Sequence, residues 1–282
     1  MHFPRFWAKG QTGNLSCWRW SDESLVDAQC QASDAADKLA ERFQSGERLK
    51  NRYGYASAAL REPVLREIKD ESGAVSAAVT RNAYGCFVLN CARVMFVDVD
   101  LPEPAARPGL LDFLGKLFGK PAPAKKTGGA SEAEIADKSE AWIRGHPGWG
   151  WRTYRTRAGW RLLATHDVIA PDDGATAEVF DALGADPLYR RLCSVQKSFR
   201  ARLSPKAWRC KLEAPGARWP WENPEKEAQF KKWDEAYQRV AADFATCEFL
   251  SACGGEKVHP EVAQIVQLHD EATRAHSKLP LA

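Results

Sequence analysis

Three short apolar runs follow one another closely in this chain: Ala74–Thr80, Gly85–Asn90 and Arg93–Asp98. Arg81-Asn82 and Asn90-Cys91 separate them, so they read as an antiparallel meander of strands. The last run, Val94-Met95-Phe96-Val97-Asp98-Val99-Asp100, ends in two acids spaced two apart. Side chains alternate along a strand, so Asp98 and Asp100 lie on one face. Two carboxylates at the end of a buried strand repel each other and are costly to desolvate. A divalent cation relieves that cost, and oxygen ligands suit Mg²⁺ or Mn²⁺. The other reading is an edge strand emerging into solvent, with two ordinary surface acids.

The flanking sequence completes an α+β pattern. Trp7, Trp18 and Trp20 flank a Gly-Gln-Thr-Gly-Asn turn signal, which predicts a hairpin of Phe6–Ala8 with Leu15–Trp20. Ser21-Asp22 is then expected to cap an amphipathic helix over Ser24–Phe43, ended by Gly46. After the acid pair, 101–130 reads as an insertion. It has an apolar stretch over Leu110–Phe118 and a flexible Pro/Ala/Gly-rich linker. Ser131 and Glu134 form a capping box for a helix running to His146. Strands follow over Trp149–Thr156, Trp160–Thr165 and Phe199–Leu203, with helices over Gly174–Leu183 and Pro187–Val195 between the last two. Helices near Glu225–Leu250 and Pro260–Ser277 close the chain. The expected fold is therefore an RRM-like mixed or antiparallel sheet flanked by helices, with an N-terminal α/β unit and a helical C-terminal tail. Residues 1–212 form the expected core and 213–282 a helical extension.

Composition excludes some functions. At 282 residues with 44% hydrophobic and 27% charged residues, the chain has a globular make-up. It has no apolar run long enough to span a bilayer and no signal-peptide h-region, so a cytoplasmic protein is expected. Its eight cysteines show no C-x-x-C spacing and read as reduced, most of them as small buried apolar residues. Net charge is only +3, but it is unevenly spread. Pro187–Leu212 carries eight basic residues and no acid, and Trp149–His166 carries four arginines and no acid. Such segments suit a polyanion, or else form a solvated face balanced by acids elsewhere in the fold.

Two downstream segments add cations. In Tyr154-Arg155-Thr156-Arg157-Ala158-Gly159-Trp160-Arg161, a hairpin tip presents Thr156, Arg157, Arg161 and the amides around Gly159, which suits a phosphate. In Phe199-Arg200-Ala201-Arg202-Leu203-Ser204-Pro205-Lys206, alternation puts Arg200 and Arg202 on one face, and Ser204 and Lys206 continue it. Trp208, beside Lys206 and Arg209, is the best candidate for stacking a base.

In this order the three segments resemble the archaeo-eukaryotic primases and primase-polymerases. Asp98 and Asp100 are similar to that family's metal-binding first motif. Thr156-Arg157-Ala158-Gly159-Trp160-Arg161 is similar to its second, Ser/Thr-x-x-Gly-x-His. The stretch around Arg200 and Lys206 looks like the phosphate-contacting segment after its third. The resemblance covers Val94–Lys206. It implies catalytic and metal-binding roles for Asp98 and Asp100, with Mg²⁺ or Mn²⁺ as cofactor. It implies phosphate contacts from Thr156, Arg157, Arg161, Arg200, Arg202, Ser204 and Lys206. The partners implied are a nucleoside triphosphate and single-stranded or primed DNA or RNA, in replication or repair. Two departures stand out: Arg161 replaces the motif histidine, and no acid precedes Phe199 where the family places its third ligand. The expected functions are thus metal-dependent nucleotidyl transfer to a 3′-hydroxyl, a catalytically inactive nucleic-acid-binding or scaffold protein on the same fold, or a metal-dependent nuclease.

Overall fold

The computed structural model describes residues 1–47, 59–101 and 131–282. The apolar stretch Leu110–Phe118 and the linker after it lie outside the described residues. The described residues form an α+β fold with ten strands in three antiparallel sheets and six α-helices. Two compact units are present: Met1–Arg93 with Arg191–Phe244, and Val94–Arg190 with Ala245–Ala282.

The first unit begins with the expected hairpin, β1 (Phe6–Thr12) and β2 (Leu15–Ser21). Gly13 turns it with φ +57°, a left-handed conformation that glycine adopts without strain. Helix α1 (Leu25–Gln44) is capped not by the expected Ser21-Asp22 but by Ser24 Oγ, which accepts from the Asp27 amide. It packs on the hairpin through Ala28, Ala32 and Ala36, all fully buried and four residues apart. The approach is close: a Cβ on Gly10 would lie 1.9 Å from the Ala32 carbonyl oxygen. Small residues on both sides are thus what lets helix and ribbon meet.

A four-stranded sheet follows in the same unit, β3 (Val64–Lys69), β4 (Val75–Arg81), β5 (Phe87–Cys91) and β9 (Phe199–Arg202), in that order. Phe199 and Ala201 are buried while Arg200 and Arg202 are half-buried, as alternation requires. Helix α5 (Pro224–Ala241) is tied to this unit by an Arg81–Asp234 ion pair at 2.6 Å and by the Tyr237 hydroxyl, which donates to the Pro205 carbonyl at 2.6 Å.

The second unit holds β6 (Phe96–Asp100), β7 (Gly150–Thr156), β8 (Gly159–Ala164) and β10 (Cys247–Gly254), in the order β10-β7-β8-β6. Helix α2 (Glu132–Gly145), with the expected capping box, lies between β6 and β7 in the chain. Strand β8 sits between those two strands, making a split β-α-β unit. Helices α3 (Gly174–Leu183) and α6 (Pro260–Thr273) belong to this unit, whereas α4 (Pro187–Gln196) contributes residues to both.

Two expectations are corrected here. The third run does not close the meander: β6 pairs with β8, and β9 occupies the edge beside β5. Alternation fixes which face a strand buries, but not which distant strand it pairs with. Within the expected helical extension 213–282, Cys247–Gly254 is a strand on β7, and the preceding helix stops at Ala241. Among the described residues no helix is long and apolar enough to cross a membrane. None of the eight cysteines is in a disulfide.

Candidate functional site

Cross-strand register builds the candidate site of the second unit. Asp98 lies opposite Arg161, Arg161 opposite Tyr154, and Tyr154 opposite Phe249, so one row of side chains crosses all four strands. Arg161 is 2% exposed and Asp98 is 32% exposed. The guanidinium donates from Nε to Asp98 Oδ1 at 2.8 Å and from Nη2 to Oδ2 at 3.2 Å. This fork-on-fork pairing engages both carboxylate oxygens. Burial acts to lower the Arg161 pKa, but the Asp98 charge and hydrogen bonds outweigh it and hold the group above its usual value.

His269 of α6 completes the row. Its Nε2 lies 3.4 Å from Arg161 Nη1, and its ring centre is 4.7 Å from Tyr154 and 5.4 Å from Phe96. Arginine only donates, so Nε2 accepts and Nδ1 carries the proton, donating to Asp270 Oδ1 at 3.0 Å. Asp270 is the hub of the network. It also accepts from the Tyr154 hydroxyl at 2.7 Å, from Arg152 at 2.6 Å and from His276 at 3.0 Å. Burial raises the Asp270 pKa, but these hydrogen bonds and the neighbouring charges bring it well below the carboxylate range. Burial pushes His269 down to about 4, and the Asp270 hydrogen bond only partly opposes it.

Cys247 Sγ lies 3.9 Å from His269 Nε2, so a thiol, an imidazole and a carboxylate fall in sequence. The chemistry runs against a nucleophile. The thiol is fully buried and desolvation raises its pKa to about 11, the reverse of the activation a catalytic cysteine needs. This cluster is a closed polar core.

The other members of this half of the site are ordinary hairpin parts. Thr156 Oγ1 donates to the Gly159 carbonyl at 3.0 Å. A Cβ on Gly159 would lie 2.1 Å from the Val99 carbonyl oxygen, so glycine here serves the β6–β8 contact. Arg157 is exposed at the hairpin tip, and Asp100 is exposed at the end of β6. Among the described residues no group of three or more His, Cys, Asp or Glu side chains is arranged to hold a metal ion. Asp98 is already engaged by a buried guanidinium. This donor set does not fit a two-ion centre, which needs several carboxylates around both ions.

The cationic strand belongs to the other unit and the other sheet. Arg200 is 12% exposed, and its Nη2 donates to both oxygens of Glu62, at 2.8 and 3.0 Å; Glu62 itself is 7% exposed. Ser204 is buried: its hydroxyl donates to Tyr237 Oη at 2.6 Å and accepts from the Phe87 amide at 2.9 Å. Both of its capacities are filled from within the fold. Arg202 and Lys206 are half-buried. Lys206 Nζ lies 5.3 Å from the ring centre of Trp208. Trp208 sits on a 3-10 turn, Ala207–Cys210, is 48% exposed, and meets Tyr84 edge-on at 5.4 Å.

Arg152, Tyr154, Cys247, His269, Asp270 and Glu62 carry the buried polar chemistry, and none of them is among the site residues expected from the sequence. For His269-Asp270 the adjacency was visible, but nothing local shows that both turn inward. Comparison with protein-family models, curated proteins and solved structures finds no match to this chain.

Proposed function

We propose that this chain is a single-stranded nucleic-acid-binding protein that performs no metal-dependent transfer at Asp98 and Asp100. The observation that carries this reading is Trp208, a half-exposed indole on a basic turn, with Lys206 against its face and Arg209 and Lys211 beside it. A large aromatic held open among cations is the surface on which unpaired bases stack while phosphates meet lysine and arginine. Arg157 is a further exposed cation in the other unit. The engagement of Asp98 by Arg161 supports the non-catalytic form over a primase-polymerase or a nuclease.

Fluorescence anisotropy with a labelled oligothymidylate tests this reading. Binding is expected to weaken steeply with salt, because cations on phosphate release counterions. Trp208→Ala is expected to weaken it by roughly 5- to 100-fold, the range for losing one stacked base. Binding that is unchanged in this variant would refute the reading. A primed template with labelled nucleotide and Mn²⁺ is expected to show no extension, and extension abolished by Asp100→Asn would restore the polymerase.

A further inference from the structure

The first unit contains an open pocket of about 190 Å³. Its apolar wall includes Trp219, Trp221 and Phe230, with Trp221 and Phe230 ring centres 4.6 Å apart. Three arginines line it and, among the described residues, no acid does. Arg81 is neutralised by Asp234. Arg61 and Arg218 have no carboxylate partner among the described residues. Arg61 instead rests on the Trp18 ring, 4.5 Å from its centre. Burial, and then the Arg218 charge, lower its pKa. Arg61 is half-buried and Arg218 exposed, and like charges lining one pocket favour an anion beside them.

Asn82 supplies a polar handle. Its Oδ1 accepts from the amides of Tyr84 and Cys86, at 3.0 and 3.1 Å, which fixes the side chain and leaves its NH₂ to donate. The same turn links the pocket to the exposed indole, because Tyr84 touches Trp208.

We propose that this pocket binds one nucleotide: the ring lies against Trp219, Trp221 and Phe230, the phosphate sits on Arg61 and Arg218, and Asn82 donates to the base edge. A flat ring on an aromatic wall and a charge-assisted phosphate contact are complementary chemistries. The choice of a nucleotide among aromatic anions rests on the single-strand reading above, whereas the aromatic-anion character of the pocket does not.

Calorimetry with AMP, adenosine and inorganic phosphate tests this. AMP is expected to bind at one site, with adenosine and phosphate each weaker by about tenfold or more. Arg218→Gln is expected to weaken AMP by about tenfold while leaving the melting temperature unchanged, since Arg218 is exposed, and Arg218→Lys is expected to recover part of the affinity. AMP binding no tighter than adenosine, or unaffected by Arg218→Gln, overturns the proposal. So does AMP binding that falls in Trp208→Ala but not in Arg218→Gln, because the nucleotide then sits on the indole. AMP binding that survives when oligothymidylate binding is absent upholds the pocket and defeats the single-strand reading. If Arg218→Gln weakens oligothymidylate as well as AMP, the nucleotide belongs to a strand; if AMP alone weakens, it is free.

Discussion

Removing the Asp98 carboxylate is expected to destabilise the protein by about 3–5 kcal/mol, because Asp98→Ala leaves a buried guanidinium without its counter-charge. Arg161, at 2% exposure, cannot recover water without opening the sheet. For a protein of this size the loss corresponds to a drop in melting temperature of roughly 10 °C. The sign of the effect is what discriminates. Were Asp98 and Asp100 a metal site, deleting one of two repelling carboxylates would leave the metal-free protein as stable or more so. Asp98→Leu combined with Arg161→Met is expected to recover much of the loss, since paired apolar replacements of a buried ion pair are often near neutral. Thermal melts of wild type, both single variants and the double variant measure the coupling directly.

Acid is expected to destabilise the second unit well above the carboxylate range, through His269. Its folded pKa of about 4 lies below the unfolded value of about 6.5. Above pH 6.5 the imidazole is neutral in both states and nothing is lost. Between pH 6.5 and 4 the unfolded chain takes up a proton that the folded chain refuses. Stability therefore falls as pH falls, by about 1.4 kcal/mol per pH unit and roughly 3 kcal/mol in all. The groups facing His269 are Arg161, Asp98, Asp270, Tyr154 and Cys247. Asp270 adds a second step: its folded pKa is depressed, so its contribution is present above about pH 4 and is lost as pH falls further. Urea midpoints across this range check both steps. His269→Gln is expected to flatten the upper one, and a wild-type midpoint constant from pH 6.5 to 4 would contradict it.

What the sequence made legible was local. The Ser131–Glu134 capping box, the turn at Gly13 and the alternation at Phe199–Arg202 depend on neighbours a few residues away, and all three are present. What it hid was pairing across distance. The basic run 187–212 contains no acid, yet Arg200 is neutralised by Glu62, 138 residues away in the chain. The acid pair reads as an unrelieved repulsion until β8 brings Arg161 opposite Asp98. A charge run is thus not a charged surface: segments have no counter-ions, but folds do. Trp208 is the exception, because its neighbours in sequence, Lys206 and Arg209, are also its setting in space.

The central claim is that Asp98 is the counter-ion of Arg161 and not a metal ligand. Electron paramagnetic resonance of free Mn²⁺, titrated with the protein, tests it most directly. The structure predicts no Mn²⁺ taken up by Asp98 and Asp100, with identical free-ion signals for wild type and Asp100→Asn. One Mn²⁺ bound per chain in the wild type, and lost in Asp100→Asn, would contradict it.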